Sequence, residues 1–446
     1  MAHYDYILNE GSALIFNEST KQMETHVTSI GLKEGKIASL SVQTTDTAEQ
    51  ILNTKGLHIL PGIIDSQVHF REPGMTHKED LESGTRAALL GGVTTIFEMP
   101  NTLPSTTTEE LFLDKLLRAE KRAHCNYAFF IGGSPDNISE LSKLEMMEHC
   151  SGIKVFLGSS FGNLLIDEES VFDQILQNGK RRVIIHSEDE KRLKDRKQIA
   201  IDSGHPRSHP IWRDEESAFI STHKSIRLAK KHNRPVHILH VSSGEEMEYL
   251  AKHKDIATVE TLPQYLTFHG PDCYERFGTL AQQNPPIRDV RHFDYLWRAV
   301  NNGTVDIIGS DHAPHTLEEK NKPYPQSPSG IPGVQTLLPV MLDHVHQKRL
   351  SLEKLTMLIT ENPRRVFGLK NKGRIAVGYD ADLTLVDLNK KMEIKQSWLA
   401  SKSNWSIFEG MKVTGWPVGS FVNGQLAMQD EQILIPHSGK PAFFNV

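Results

Sequence analysis

The chain changes its pattern of apolar and polar residues twice along its length. Residues 1–56 contain short β-rich pieces, such as YDYILNEGSALIF and GKIASLSV, joined by polar connections. Short apolar runs then alternate with longer segments that mix apolar and charged residues. After about Gly373 the β-rich pattern returns in GRIAVGYDADLTLVDL and GSFVNGQLAM. The pattern predicts strands at both chain ends, with alternating strands and helices between them.

Eight apolar runs in the middle region have the length and β-branched content of buried strands. They are HILPGIIDSQVHF, GVTTIFEMP, NYAFFIGG, GIKVFLGSS, RRVIIHSE, RPVHILHVSS, ATVETLP and TVDIIGSDH. Amphipathic segments such as EDLESGTRAALLGG and ESAFISTHKSIRLAKKH lie between them. Strands that alternate with helices predict a parallel sheet, and eight of them predict a closed (β/α)8 barrel. An open doubly wound sheet is disfavoured because no glycine-rich motif follows the first run.

We therefore predict an α/β protein with a TIM-type (β/α)8 barrel and a small β-sandwich domain built from both chain ends. Residues 1–56 and 373–446 form the small domain, and residues 57–372 form the barrel. The Pro/Ser/Gly-rich segment NKPYPQSPSGIPG follows the eighth run, where a long connection is expected to be an active-site loop.

Composition narrows the class of protein. The 446 residues are 38% hydrophobic, without an apolar run that could span a membrane. A net charge of −6 argues against nucleic-acid binding. Three separated cysteines and the absence of a secretory signal pattern predict a cytoplasmic protein without disulfides. The 22 histidines direct attention to metal binding.

Polar side chains follow most of the predicted strands, and strand ends of a barrel converge on one mouth. His237 shares a run with His240 and is expected to be an ordinary core histidine. Imidazole and carboxylate side chains at one mouth suit zinc or a similar divalent ion. The convergent residues, in strand order, are His69, Arg71, Asn101, Lys154, His186, His240, Asn284, Asp311 and His315.

Lys154 lies inside the apolar run GIKVFLG and has two interpretations. It can extend out of the barrel mouth or pair with an acid, since an unpaired buried ammonium is costly. Alternatively, CO2 carbamylates the amine and converts it into a carboxylate that bridges two metals. The residues alone do not decide between the two.

Arg71 and Gln67 lie on the same face of the first strand as His69. A guanidinium beside metal ligands is suited to grip a substrate carboxylate in bidentate fashion. The alternative is an ion pair with Glu72 or Asp65. Asn101 can donate and accept at the same anion. Gln67 stands where a zinc hydrolase would be expected to have a second imidazole.

Several motifs together resemble the amidohydrolase superfamily and, within it, the long-chain class I dihydroorotases. They are DSQVHFREPG, GGVTTIFEMPNT, HILHVSS, QQNPPIR, IIGSDHAPHTLEEK and GYDADLTLVDL, and the resemblance covers nearly the whole chain. It implies reversible hydrolysis of the cyclic amide of L-dihydroorotate to N-carbamoyl-L-aspartate in pyrimidine biosynthesis.

The resemblance also implies roles for individual residues. One or two zinc ions are bound by His69, His186, His240, Asp311 and a carbamylated Lys154, with Asp311 also shuttling the proton. The substrate is bound by Arg71, Asn101, His315 and Asn284, the last of which contacts the ring. Gln67 departs from the family motif, which has histidine there, so the buried metal position lacks one imidazole of the family's ligand set.

Two other functions remain open. One is a different cyclic amidohydrolase, either an allantoinase or a hydantoinase-like enzyme, although these are not expected to need Arg71 as a carboxylate clamp. The other is a non-catalytic subunit that supports aspartate transcarbamoylase. A homodimer and an association with that enzyme are also open.

Overall fold

The computed structural model describes residues 2–158 and 162–445, and five strands precede the barrel. They are β1 (His3–Asn17), β2 (Gln22–Lys33), β3 (Lys36–Ser39), β4 (Thr47–Asn53) and β5 (His58–Pro61). The run HILPGIIDSQVHF therefore divides at Gly62 into β5 and the first barrel strand. A Cβ atom at Gly62 would lie 2.4 Å from Thr94 Oγ1 and 2.6 Å from Asp382 Cβ, so glycine is needed where the chain passes between the two sheets.

Eight parallel strands within the described ranges form the barrel, paired in chain order. They are β6 (Ile63–Val68), β7 (Val93–Glu98), β8 (Asn126–Gly132), β9 (Cys150–Phe156), β10 (Val183–His186), β11 (Val236–Ile238), β12 (Ala257–Thr261) and β13 (Ile307–Ile308). A bridge between Val68 and His312 links the first strand to the segment after the last. This confirms the predicted barrel. Ser159 and Ser160, the end of the run GIKVFLGSS, lie outside the described residues.

The small domain is completed by β14 (Leu383–Glu393), β15 (Lys412–Val422), β16 (Gln425–Gln429) and β17 (Gln432–Ile433). β5 pairs with both β1 and β14, so strands from the two chain ends form one sheet. Leu8, Ile30, Ile59, Leu383 and Phe421 contribute to one buried apolar cluster in this domain. The prediction of a β domain built from both chain ends is confirmed, whereas the boundaries at 56/57 and 372/373 stay predictions.

Helices occupy most connections between the barrel strands, and four more follow β13 in the described chain. They are α1 (Leu81–Leu90), α2 (Glu109–Ala119), α3 (Leu141–Leu144), α4 (Glu169–Gln177), α5 (Glu190–Ser203), α6 (His209–Trp212), α7 (Glu215–His232), α8 (Gly244–Leu250), α9 (Pro263–Thr267), α10 (Asp272–Phe277), α11 (Val290–Asn302), α12 (Leu317–Lys320), α13 (Leu337–His346), α14 (Leu352–Ile359) and α15 (Glu361–Phe367). Short 3-10 helices lie at Ile138–Glu140, Gly162–Leu164, Pro206–Ser208, Gly278–Ala281 and Gln396–Trp398.

The helix α7 shows how the sequence defines these elements. The Asp214 side chain caps its first turn, and Asn233 ends it in the left-handed conformation. Acidic residues in the first turn and basic residues in the last complement the helix dipole. No helix in the described ranges has both the length and the apolar character needed to cross a bilayer.

The C-terminal segment packs against the amino ends of the barrel strands. Tyr127 at the start of β8 donates its backbone N–H to Lys440 O and accepts from Ala442 N. Phe444 packs edge-on against Phe97, with ring centroids 5.5 Å apart. The end of the chain therefore covers the face of the barrel opposite the predicted site.

Candidate active site

A cavity of about 250 Å³ lies where the carboxyl ends of the barrel strands meet. The structure brings all nine predicted site residues to its walls, together with Gln67, Phe156, Ala313, Ser329 and Gly330. Ser329 and Gly330 belong to the segment predicted to be an active-site loop. The volume suits a small substrate, because pockets for drug-sized ligands start at about 300 Å³.

His69 follows β6, and its ring lies between two oxygen atoms. Nδ1 donates to Asn101 Oδ1 over 2.7 Å, and Nε2 lies 3.2 Å from Asp311 Oδ1. Burial lowers the pKa of His69, so the ring is neutral. With its proton on Nδ1, the lone pair of Nε2 faces the carboxylate, and the two atoms form a pair of donors suited to one cation. Asn101 thus has its oxygen engaged in orienting His69, which leaves only its amide N–H groups for a substrate.

Gln67 contacts the same carboxylate. Its Nε2 donates to Asp311 Oδ1 over 2.9 Å, whereas its Oε1 is buried and has no hydrogen-bond partner in the part of the chain that the structure describes. The glutamine therefore lies beside the predicted metal ligands. Its one atom able to ligate a cation is unsatisfied.

His186 and His240 form a second pair of donors. His186 Nδ1 lies 3.0 Å from His240 Nε2, and His186 Nε2 donates to Glu188 Oε2 over 2.8 Å. Arg213 Nε in turn donates to Glu188 Oε1 over 3.0 Å. Although burial alone would raise it, Arg213 and His186 lower the pKa of Glu188 to about 2, so this carboxylate is charged and holds the His186 proton on Nε2. The lone pair of Nδ1 is thereby directed at His240.

Lys154 lies in β9 and is fully buried. Within the described ranges its Nζ has no hydrogen-bond partner, and it lies 4.4 Å from the centroid of the Phe156 ring. Burial lowers the pKa of Lys154 to about 7, against the opposing influence of Asp311 and Glu260. Neither an exposed lysine nor a lysine paired with an acid describes this geometry, which leaves a buried amine that is partly neutral near physiological pH.

The donors fit a metal only in part. Among the described residues, no three His, Cys, Asp or Glu side chains are placed to hold one ion together. The donors instead form the pairs His69–Asp311 and His186–His240, and Lys154 interacts electrostatically with Asp311, His186 and His240. A carboxylate carried by Lys154 would give both pairs a shared third donor. Whether these residues can hold a metal therefore depends on the state of the Lys154 amine.

Arg71 places a buried guanidinium at the cavity wall. Only 6% of its surface is exposed, and its Nε donates to Pro314 O over 3.3 Å. Within the described ranges no carboxylate lies within ion-pair distance of its guanidinium; Glu72, the neighbouring candidate, pairs with Arg122 at 2.7 Å instead. Burial lowers the pKa of Arg71 to about 10, so it stays charged at neutral pH. The cavity therefore contains a buried positive charge that no described acid pairs with.

His315 lies beside Arg71 and is held on both ring nitrogens. Lys78 Nζ donates to His315 Nδ1 over 3.1 Å, and His315 Nε2 donates to Ser329 O over 3.1 Å. Burial lowers the pKa of His315 well below its usual range. The ring is thus neutral, with a defined tautomer, and its position is tied to that of the loop carrying Ser329.

Sequence reasoning did not identify His209, which positions Asn284. The buried ring donates from Nε2 to Asn284 Oδ1 over 2.9 Å, and its Nδ1 lies 3.2 Å from the Tyr324 hydroxyl. No local sequence pattern indicates a role for His209, because its contact with Asn284 joins α6 to a loop 75 residues further along the chain. Glu188 was also missed, although its place two residues after His186 could have indicated a supporting role. His237 is a core residue as expected, with Nδ1 at 2.8 Å from Thr258 Oγ1.

Three residues of the cavity have left-handed backbone conformations. The φ angles of Arg71, His240 and Asp311 are 64°, 39° and 44°. Such conformations cost about 1–3 kcal/mol at residues other than glycine and cluster at functional sites. Their coincidence at one cavity indicates that the fold maintains this arrangement of side chains against a local energetic cost.

The barrel and its polar cavity define an enzyme whose site is built from the carboxyl ends of the strands. Residues 58–427 match the model of the amidohydrolase family, and the chain belongs to this family of hydrolytic enzymes. Members of the family generally depend on a bound metal. The predicted membership of the amidohydrolase superfamily is thereby confirmed.

Relatives with two different names cover almost the whole chain. A dihydroorotase from Methanothermobacter thermautotrophicus is 32% identical over 414 residues, which are 91% of this chain and 92% of that protein. An L-hydantoinase from Paenarthrobacter aurescens is 32% identical over 426 residues, 91% of each chain. The solved structure of L-hydantoinase (dihydropyrimidinase) from Arthrobacter aurescens matches with a TM-score of 0.93 and 28% identity, and covers 99% of this chain and 100% of that one. These relatives establish the reaction class and leave the substrate to be argued from the cavity.

Proposed function

We propose that this enzyme is a dihydroorotase, which reversibly hydrolyses the ring amide of L-dihydroorotate to N-carbamoyl-L-aspartate in de novo pyrimidine biosynthesis. The observation that carries the proposal is the buried Arg71 guanidinium at the cavity wall, without a carboxylate partner in the described chain. Burying such a charge is unfavourable unless a partner arrives with the substrate. Dihydroorotate has a carboxylate, whereas hydantoin and allantoin do not.

The proposed metal ligands follow from the two donor pairs. His69 and Asp311 would hold one zinc ion and His186 and His240 a second, and a carbamate on Lys154 would supply a third donor to both pairs. The neutral amine of Lys154 adds CO2 and releases one proton, which gives a negatively charged carbamate in place of an ammonium. Its unpaired Nζ and its lowered pKa support this modification. If metal binding by His69 and Asp311 beside Gln67 is weak, only the zinc at His186 and His240 would be held.

When bound, the metal lowers the pKa of a water molecule and polarises the ring carbonyl. The remaining steps depend on side chains of this enzyme. Arg71 and the Asn101 amide hold the substrate carboxylate, and Asn284 contacts the ring. His315 lines the carboxylate position, with its ring nitrogens hydrogen-bonded to Lys78 and Ser329. Asp311 accepts the proton of the attacking water and delivers it to the ring nitrogen as the amide bond breaks. For ring closure Asp311 starts protonated, as microscopic reversibility requires.

The test is a comparison of substrates with purified enzyme loaded with zinc. We expect kcat/KM for L-dihydroorotate to exceed that for hydantoin and allantoin by at least about 30-fold. This factor corresponds to about 2 kcal/mol for the contact between Arg71 and the substrate carboxylate. A chelator should abolish the activity and added zinc should restore it. Equal rates on the neutral rings would contradict the proposal and favour a hydantoinase.

A hydantoinase is the second candidate, and the TM-score of 0.93 to the L-hydantoinase structure favours it. A non-catalytic subunit is the third, and its support is Gln67. Inactivity toward every substrate with zinc saturating would favour that subunit. Light scattering of the enzyme alone tests whether it forms a homodimer. Light scattering of a mixture with aspartate transcarbamoylase tests whether the two associate.

A further inference from the structure

Lys320 is a buried lysine that the proposed reaction does not use. It ends α12, the helix that follows the Asp311–His315 segment, and none of its surface is exposed. Its Nζ donates to the backbone carbonyls of Gln282, Pro328 and Gly330 over 3.0, 3.0 and 3.2 Å. Within residues 2–158 and 162–445, no acid lies within ion-pair distance. The three N–H donors of the ammonium are thus matched to three carbonyl oxygens.

These carbonyls belong to two loops that reach the cavity from different strands. Gln282 lies two residues before Asn284, and Pro328 and Gly330 flank Ser329. The Gln282 side chain links the loops again, because its Nε2 donates to Ser327 O over 2.9 Å. The backbone N–H of Gly330 also donates to Gln282 O over 2.9 Å. Lys320 therefore lies at the centre of a cross-link between the loops after β12 and β13.

The cross-linked loop, residues 326–331, forms one wall of the cavity. A Cβ at Gly330 would lie 2.4 Å from Ala313 O, so the loop packs directly on the segment between Asp311 and His315. Ser329 O accepts from His315 Nε2. A displacement of this loop would therefore change the cavity wall and the orientation of His315 together.

We propose that Lys320 is a positioning residue, whose ammonium fixes residues 326–331 in the conformation that binds substrate. The proposal rests on the function proposed above only for the identity of the substrate. A loop that is held in place before binding loses little conformational freedom when substrate arrives, which favours affinity. Burial lowers the pKa of Lys320 to about 7, whereas the three carbonyl acceptors favour the protonated form, which alone offers three N–H donors. All three donors of Lys320 are engaged by backbone carbonyls, so it acts through the loop.

The experiment combines Lys320→Met, which removes all three donors, with Lys320→Gln, which keeps an amide donor. Lys322→Met, an exposed lysine on the same segment, is the matched control. We expect Lys320→Met to raise the KM for dihydroorotate about ten-fold or more and to speed hydrogen exchange at the Gly330 amide. Lys320→Gln should have intermediate effects. Bound metal, kcat within a few-fold and the exchange of core strands should match the wild type.

Wild-type KM and wild-type exchange at Gly330 in both Lys320 variants would overturn the proposal, as would an equal loss from Lys322→Met. If Lys320→Met does not fold, KM and hydrogen exchange at Gly330 in Lys320→Gln, compared with wild type, test the proposal instead. Hydrogen exchange needs no substrate. A wild-type enzyme without dihydroorotase activity would therefore contradict the proposed function, whereas the exchange data would decide the role of Lys320 separately.

Discussion

Replacing Arg71 with methionine tests the substrate assignment most directly. The change keeps a long apolar stem in a buried position and removes the guanidinium. Because Arg71 has no described carboxylate partner, the variant breaks no internal ion pair, and its effect on folding should be small. The loss should therefore appear in catalysis.

The expected magnitude follows from the environment of the guanidinium. It is charged at neutral pH, with a pKa of about 10, and is 6% exposed, so its contact with a substrate carboxylate is shielded from water. A charge-assisted bidentate contact of this kind is worth about 2–4 kcal/mol, or about 30- to 900-fold in kcat/KM. Since Pro314 O already orients Nε, little freedom is lost on binding, and we expect the upper part of this range.

The assay measures kcat/KM for dihydroorotate and for hydantoin, together with bound zinc, in Arg71→Met and in Arg298→Met. Arg298 is exposed on α11 and serves as a control for the general effect of losing an arginine. Dihydroorotate hydrolysis should fall only in Arg71→Met, with metal unchanged and no fall on hydantoin. Near-normal dihydroorotate kinetics in this variant would refute the carboxylate clamp and the main reason for preferring this substrate.

Further predictions concern the metal ligands and the buried histidines. Lys154→Ala should lose metal and activity, and a short carboxylic acid in the buffer should restore part of the activity. The carbamate bridge would be contradicted if this variant kept its full metal content, or if a crystal structure showed a free Lys154 amine beside fully bound metals. Gln67→His should bind metal at least about 10-fold more tightly than wild type in a chelator titration, because even outer-shell partners contribute roughly 10–100-fold to metal affinity. It should catalyse the same reaction. If instead wild type is inactive with zinc saturating and Gln67→His gains activity, the chain is a relic with a supporting role. Burial lowers the pKa of both His209 and His344 to about 3, so between that value and the unfolded value of about 6.5 the unfolded chain binds more protons. The free energy of unfolding should therefore fall as pH drops through this window, and His344→Asn should weaken that dependence in thermal unfolding at pH 7 and 4.5, whereas the exposed His223→Asn should not.

The barrel could be predicted because each of its strands is buried on both faces and forms a nearly continuous apolar run. The convergence of His69, His186 and Asp311 followed from the topology alone, since strand ends meet at one mouth. The division at Gly62 could not be predicted, because it depends on contacts with Asp382, more than 300 residues away.

Contacts between loops explain most of the other differences. Asn101 was expected at the substrate, but its partnership with His69 depends on side-chain orientation that periodicity does not contain. The positions of His209 and Lys320 depend on loops that approach each other only in the folded barrel. Glu188 is different, since its spacing of two residues from His186 is visible in the sequence. Its role as the hydrogen-bond acceptor that orients His186 was not predicted.

The pairing of β5 with β14 has a consequence for how the protein is made. β1 to β5 leave the ribosome before the barrel, but the neighbour of β5 at Leu383–Val386 is synthesised more than 300 residues later. Until then the edge of β5 is an open template for pairing with another nascent chain. The segment that carries Phe444 is translated after every barrel strand, so a chain truncated before it has a barrel whose amino-terminal face is uncovered. Production of this enzyme should therefore depend on chaperone capacity.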